Sequence, residues 1–327
     1  MHDKMKLAVW GVGRHAQKRI LAAIENSKSV ELSGIYTRNQ THGKEEAKKR
    51  GCKYFLSSDE MLSDPNIQAV FLCTPTGLHF SQGKSVLQAG KHLWCEKPIA
   101  TSFKHSQELI ELAINKNLFV GEAYMYKYHL QFKKLKNIVE NLQFGKLKRL
   151  ICRFSIPTLD QPGFRIKRDL GASALLDLGS YTFSLANELF KGQPTFELAE
   201  YYKDNKAIDQ NGFCVLGYQG GIKAILEWSY NSCYINQAEL WFEKGTITTD
   251  KIFSKSDDYC PVLRVRMLSG DFDDEKLLPE NSYVNMLDHF SHCTTERSTN
   301  DYEAILSTSK LISAFTKQVR MPEISWQ

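Results

Sequence analysis

The chain of 327 residues contains no apolar run approaching the ~20 residues that a membrane-spanning helix needs. Its opening, Met1-His2-Asp3-Lys4-Met5-Lys6, leads straight into the first strand-like segment, which predicts that there is no signal peptide. It also lacks any C-x-x-C pair. The 8 cysteines are scattered, and Cys73 and Cys214 sit inside apolar runs, where a thiol behaves as a small hydrophobe. That spacing excludes a zinc cage and a disulfide framework and predicts a reduced, cytoplasmic protein. Nor does any run of Lys and Arg alternate with stacking aromatics. The net charge of +5 is spread along the chain, which excludes nucleic acid as the main partner.

What is present is an ordinary soluble composition, with 42% hydrophobic and 24% charged residues. The length suffices for two domains with full cores, and the mildly basic balance suits an anionic ligand such as a phosphorylated cofactor. The most informative stretch is Lys6-Leu7-Ala8-Val9-Trp10-Gly11-Val12-Gly13-Arg14-His15-Ala16. An apolar run suited to a strand buried on both faces turns on two glycines, and a helical pattern follows over 14–24. Strand, G-x-G-x-x-A and helix together are the phosphate-binding turn of a dinucleotide fold. Gly11 permits the tight turn, Gly13 leaves no side chain between backbone and pyrophosphate, and Ala16 lets helix and strand pack closely. Arg14 and His15 fill the variable positions, where the N–H groups and positive end of the helix face the phosphates.

A second strand is expected over 30–36. An acidic residue at its end would hydrogen-bond a ribose 2′-OH and favour NAD. This chain offers Thr37-Arg38 instead, and a guanidinium fork suits a 2′-phosphate. The expectation is therefore NADP, with NAD possible; the competing reading is a solvated Arg at the start of a loop. Helical and strand patterns then alternate up to residue 121, which predicts a parallel, doubly wound sheet. Two strand ends carry chemistry. Thr74-Pro75-Thr76-Gly77-Leu78-His79 follows the strand over 69–73, and Glu96-Lys97-Pro98 follows the strand over 92–95. Lys97 at such a place could hydrogen-bond a ribose hydroxyl and a substrate oxygen. By itself the tripeptide fits a surface Lys in a loop equally well.

In the second half, Tyr124, Tyr126 and His129 belong to an aromatic stretch that is either core or pocket lining. Helical periodicity over 172–190 puts Asp177 and Tyr181 four residues apart on one face. A carboxylate and a phenol there could bind and protonate a polar substrate, or simply belong to a capped core helix. From Thr195 on, strands alternate with short turns, including Gly220-Gly221, which predicts one broad antiparallel sheet. One face of such a sheet must be buried elsewhere. His289-x-x-His292-Cys293 offers ligand types for a metal, but on an amphipathic helix without further ligands it is read as no metal site.

The Gly11/Gly13/Ala16 turn, Thr74-Pro75-x-x-x-His79 and Glu96-Lys97-Pro98, in this order, resemble the Gfo/Idh/MocA oxidoreductases. Gly171-x-x-x-Leu175-Leu176-Asp177-x-Gly179-x-Tyr181 is similar to the second-domain signature of that family. The departure is Gly171-Ala172-Ser173, where the family commonly has three glycines. The resemblance implies a Rossmann domain over 1–122 and an α+β domain with a large, mostly antiparallel open sheet over 123–327. It implies cofactor contacts from Gly11, Gly13, Arg14, His15, Thr37, Arg38, Thr74, Pro75, His79, Glu96, Lys97 and Pro98. Catalysis falls to Lys97 and Tyr181, with Tyr181 as proton donor, and substrate contacts to Tyr126, Arg165, Asp177 and Tyr181. Lys paired with Tyr is the pattern of the dihydrodiol dehydrogenase and sugar ketoreductase branches. The segments Ala238 to Ile247, Ile252-Phe253-Ser254-Lys255 and Pro261 to Val265 are most similar to the reductases of nucleotide-linked 3-keto-deoxysugars. The family implies burial of the open sheet against a second subunit, in a homodimer or homotetramer. Two other activities stay open: oxidation of a free sugar, polyol or trans-dihydrodiol, and NADP binding without catalysis.

Overall fold

The computed structural model describes residues 4–319. The chain begins with β1 (Met5–Trp10), a π-helical turn (Ala16–Leu21) running into α1 (Ala22–Asn26), and β2 (Val30–Tyr36). It continues through α2 (Gln40–Arg50), β3 (Lys53–Tyr54), α3 (Ser58–Ser63), β4 (Ala69–Leu72), α4 (Thr76–Gln88), β5 (His92–Cys95), α5 (Phe103–Lys116) and β6 (Val120–Glu122). The six strands form a parallel sheet in the order β3-β2-β1-β4-β5-β6. This is a doubly wound arrangement whose order reverses between β1 and β4. The central strands are short, apolar and largely buried on both faces, as β4 shows with Ala69, Val70, Phe71 and Leu72 all inaccessible. The helices are set by local chemistry. Ser57 and Ser102 accept the free N–H groups that open α3 and α5. Gly51 and Asn117 close α2 and α5 in the left-handed conformation.

The second sheet has eight strands. Between α6 (Leu130–Glu140) and α7 (Ser180–Leu189) runs β7 (Leu147–Ser155), followed after α7 by β8 (Thr195–Lys203), β9 (Asp209–Tyr218), β10 (Ile222–Ser229), β11 (Ile235–Phe242), β12 (Gly245–Asp250), β13 (Val262–Met267) and β14 (Phe272–Lys276). Their order is β14-β13-β12-β11-β7-β10-β9-β8, antiparallel except for β7 beside β10. One face packs on α7 through alternate buried residues such as Leu150, Cys152, Ala224, Leu226 and Trp228. Gly179 and Gly212 make room for the Trp228 indole, since a Cβ on either would lie 2.8 or 2.6 Å from it. The other face carries Ile151, Val215 and Ile225 side by side across β7, β9 and β10, each half-buried.

The chain ends with α8 (Ser282–Glu296) and α9 (Tyr302–Gln318). It divides into two compact units. Among the described residues, one holds 4–125 together with Ser282–Leu306, and the other holds Tyr126–Asn281 and 307–319. Among the described residues no helix is long and apolar enough to cross a membrane. All eight cysteines are free thiols.

Candidate active site

In the first unit the chemistry gathers at the ends of parallel strands, and so along one edge of the sheet. After β1 the backbone turns at Gly11 with φ +98°, and an added Cβ would sit 2.9 Å from the Thr74 methyl and 3.0 Å from the Cys73 backbone. Only glycine meets both conditions. A Cβ on Gly13 would meet nothing within 4 Å, so the backbone there faces open space. Gln17 N–H bonds back to Gly13 O at 3.0 Å as the helix starts, while Ala16 is buried. A bare backbone at a helix start, open to solvent, fits the diphosphate of a dinucleotide. Thr37 and Arg38 end β2 as expected; Arg38 is exposed, and Thr37 O accepts from the Tyr54 hydroxyl.

The loops after β4 and β5 are tied together by His79. Its Nδ1 lies 2.8 Å from Pro98 O and its Nε2 2.8 Å from Thr74 O, inside the protein. Burial pulls its pKa below the ordinary value against the opposing pull of the two carbonyls. The neutral ring then donates to one carbonyl at a time. The Lys97-Pro98 peptide is cis, and Ile99 N–H donates to Glu122 Oε1 at 2.8 Å. Glu96 Oε1 meets His15 Nε2 at 3.1 Å, which joins the β5 loop to the glycine turn. Burial would raise the Glu96 pKa, but His15 and Lys97 outweigh it and hold the carboxyl below its ordinary value. The expected cofactor residues Gly11, His15, Thr74, His79, Glu96 and Pro98 thus form one connected set. Arg38 stands at the end of the neighbouring strand.

In the second unit Tyr181 begins α7 directly after a π-helical turn, Leu175–Gly179. Such turns recur at functional sites. Its ring is 6% exposed and packs against Phe154, Phe253 and Tyr126 at centroid separations of 5.4, 5.2 and 6.2 Å. Tyr126 is wholly buried, and its hydroxyl shares a hydrogen bond with Ser184 at 2.9 Å. Asp177 lies inside the π-turn. Its Oδ2 accepts from Arg165 Nε at 2.6 Å and from the Tyr230 hydroxyl at 3.0 Å. Burial alone would lower the Arg165 pKa, but Asp177 and Tyr230 raise it; burial pushes the Tyr230 phenol well up. Arg165 and Asp177 are therefore partners of each other.

Where the family pattern would have a third glycine, Ser173 accepts Leu176 N–H at 3.0 Å, and Asp209 accepts Leu175 N–H at 2.6 Å. The helix start is capped by side chains instead of being left flexible. His129 caps α6 through Nδ1, which accepts Gln131 N–H. Burial holds its pKa down at about 3, so it is a neutral cap, and it contributes structure to the start of α6. Sequence reasoning passed over Tyr230 and Glu122, which only strand pairing brings to Asp177 and to the chain after Pro98.

This edge, with its bare glycine turn, and the helix-backed open sheet together define an oxidoreductase with an NAD-binding Rossmann domain. Residues 5–124 match the model described as "Oxidoreductase family, NAD-binding Rossmann fold", and residues 132–248 match the Gfo/Idh/MocA C-terminal domain. The chain belongs to the Gfo/Idh/MocA oxidoreductases. It is 26% identical over 333 residues to a dTDP-3,4-didehydro-2,6-dideoxy-alpha-D-glucose 3-reductase of Streptomyces violaceoruber, covering 98% of this chain and 97% of the relative. It is 27% identical over 196 residues to a trans-1,2-dihydrobenzene-1,2-diol dehydrogenase of Xenopus tropicalis, covering 60% of this chain and 59% of that one. In fold it is similar to KijD10, a 3-ketoreductase from Actinomadura kijaniata solved with NADP and TDP-benzene. The TM-score is 0.93 at 22% identity, over 98% of this chain and 99% of that one.

Proposed function

We propose that the chain is an NADPH-dependent ketoreductase acting on a sugar carbonyl, with a nucleotide-linked 3-keto-6-deoxy sugar as substrate. The observation that carries the reading is the Tyr181 phenol, set at a π-turn among aromatic rings, with Asp177 of the Arg165–Asp177–Tyr230 cluster on the same helical segment. Full-length likeness to the Streptomyces 3-reductase supports the choice of substrate.

When bound, NADPH supplies a hydride equivalent to the carbonyl carbon. Gly11 and Gly13 leave the backbone bare for its diphosphate, and Arg38 pairs with its 2′-phosphate. Tyr181 gives its phenolic proton to the carbonyl oxygen as the alcohol forms. Lys97 holds that oxygen and stabilises charge developing on it. Arg165 and Asp177 bind substrate hydroxyls or phosphate, while Tyr126, expected as a substrate contact, is wholly buried and backs the Tyr181 ring instead.

The reading extends to assembly as a homodimer or homotetramer through the open face of the eight-stranded sheet. Ile151, Val215 and Ile225 there form an apolar strip flanked by the Arg153–Glu227 pair. Sedimentation of the wild type and of Ile225→Glu tests this, with a monomeric wild type as the contrary result. The activity test is turnover of a dTDP-linked 3-keto-deoxysugar with NADPH, beside oxidation of free sugars, scyllo-inositol and a trans-dihydrodiol with NADP. Reduction of the nucleotide sugar alone supports the proposal. Turnover of an unlinked polyol or dihydrodiol at higher kcat/KM overturns it in favour of a dehydrogenase, and tight NADPH binding without any turnover overturns it in favour of a binding protein.

A further inference from the structure

The corner between α8 and α9 assembles three side chains of metal-ligating type that the sequence scatters over 13 positions. His289 and Cys293 stand one turn apart on α8, and Asp301 immediately precedes α9. His289 Nε2 lies 3.0 Å from Asp301 Oδ2 and 3.3 Å from Cys293 Sγ. All three donor atoms lie within 4.8 Å of one another, and among the described residues this is the one group of its kind. His292, the other candidate in the sequence pattern, points away into solvent and is exposed.

His289 Nε2 faces Asp301 Oδ2, and the Cys293 sulfur lies beside the same ring, 3.3 Å from Nε2 and 3.9 Å from Nδ1. A nitrogen, a sulfur and a carboxylate oxygen within 4.8 Å of one another are the donor set of a borderline divalent ion. Zinc takes such mixed ligands in tetrahedral array and leaves a fourth position for water when the protein supplies three.

The frame around the three is fixed. Phe290, next to His289, packs on Trp94 and Phe119, and a Cβ on Gly121 would lie 2.8 Å from its ring. Thr294, next to Cys293, accepts the Trp94 indole N–H at 3.2 Å. Tyr302, next to Asp301, donates its hydroxyl to Leu118 O at 2.7 Å and accepts Val120 N–H at 3.2 Å. The intervening turn closes through Ser298 N–H on Cys293 O at 2.9 Å. Ligands anchored in this way lose little freedom when an ion binds. Cys293 is buried, while the His289 and Asp301 side chains are 37% and 28% exposed, which leaves an entry path. Tyr302 holds the beginning of β6, so the cluster sits at the sheet edge opposite the glycine turn and Lys97.

We propose that His289, Cys293 and Asp301 bind one zinc ion, completed by a water, which clamps α8 to α9. The thiol gives its proton to solvent as the thiolate coordinates, with no change of oxidation state. The role is structural: an ion that binds the folded chain alone stabilises it by mass action.

The test uses the full chain without an affinity tag, stripped with chelator and titrated with Co²⁺ as a spectroscopic stand-in for Zn²⁺. The expected result is a sulfur-to-cobalt charge-transfer band and intense visible bands of a tetrahedral site, saturating at one equivalent and displaced by Zn²⁺. The charge-transfer band should vanish in Cys293→Ser. Affinity in Asp301→Asn should fall by more than the roughly 10–100-fold that loss of a mere outer-shell partner costs. His292→Ala should bind like the wild type. A wild type without the charge-transfer band, a band that survives Cys293→Ser, or binding that depends on His292 overturns the proposal. Should Cys293→Ser fail to fold, alkylation of the wild type with peptide mapping decides. Zn²⁺ must slow modification of Cys293 by about tenfold or more, and unchanged labelling overturns the proposal.

Discussion

Arg165 Nε donates to Asp177 Oδ2 at 2.6 Å, and the Tyr230 hydroxyl meets the same oxygen at 3.0 Å. One carboxylate oxygen therefore organises a cation from the loop before α7 and a phenol from the end of β10. Asp177→Asn leaves the Arg165 guanidinium, largely withdrawn from water, without its counter-charge. Expected is a loss of about 1–3 kcal/mol in urea unfolding, as for a buried group deprived of its charged partner. Tyr230→Phe keeps the ion pair and should cost about 0.5–1.5 kcal/mol. Equal stability of Asp177→Asn and wild type would show that solvent already supports both groups.

The Tyr181 hydroxyl can be removed without disturbing its ring, which is held by Phe154, Phe253 and Tyr126. Tyr181→Phe should lower kcat roughly 10²–10⁴-fold, the range for loss of a general acid. NADPH affinity and urea stability should stay near wild type. Stopped-flow single turnovers give the chemical step directly; an unchanged rate there removes the proton-donor role.

At Arg38 the question is cofactor choice. The side chain is exposed at the end of β2, beside Thr37 and with no acidic residue at that place. A guanidinium–phosphate contact is worth about 1.5–3 kcal/mol. Arg38→Ala should therefore weaken NADPH binding roughly 10–100-fold and leave NADH binding nearly unchanged, as followed by nicotinamide fluorescence. Equal weakening for both cofactors would make Arg38 a general electrostatic aid without a role in selection.

Much of the first unit was legible because its signals are local. The turn Gly11-Val12-Gly13 acts within a few residues of its own position, so a linear reading reaches it. The second sheet was legible as a kind of fold but not strand by strand. β14 (Phe272–Lys276) is Phe-Asp-Asp-Glu-Lys, an exposed edge with no apolar alternation to mark it. Helix bounds shifted: the pattern over 172–190 starts as a π-turn at Leu175, where Ser173 and the distant Asp209 accept the first N–H groups. Asp177 could be singled out from sequence, but its partner Tyr230 could not, since 53 positions and a strand pairing separate them. Asp301 escaped in the same way: His289-x-x-His292-Cys293 reads as no metal site because its helix offers no further ligand, and Asp301 stands beyond the end of that helix.

Glu188 gives a pH-dependent prediction with a defined sign. Burial alone would raise its pKa, but the ammonium groups of Lys127 at 2.6 Å and Lys136 at 2.8 Å outweigh it and lower the carboxyl to about 2. In the unfolded chain the group returns to about 4.5. Between these values the unfolded state binds more protons than the folded one, so stability falls as the solution is acidified. The contribution is fully present above pH ~5 and is lost as pH drops toward the folded value. A shift of that size corresponds to an upper bound of about 3 kcal/mol, at 1.36 kcal/mol per unit. Glu188→Gln removes the titration while keeping shape and burial. Its urea stability should lie below wild type at neutral pH, with the gap narrowing steadily from about pH 5 to pH 3. Lys136→Met should produce part of the same convergence, because Lys127 still holds the carboxylate. Parallel wild-type and Glu188→Gln curves through this range would mean that the two lysines do not hold the carboxylate in solution.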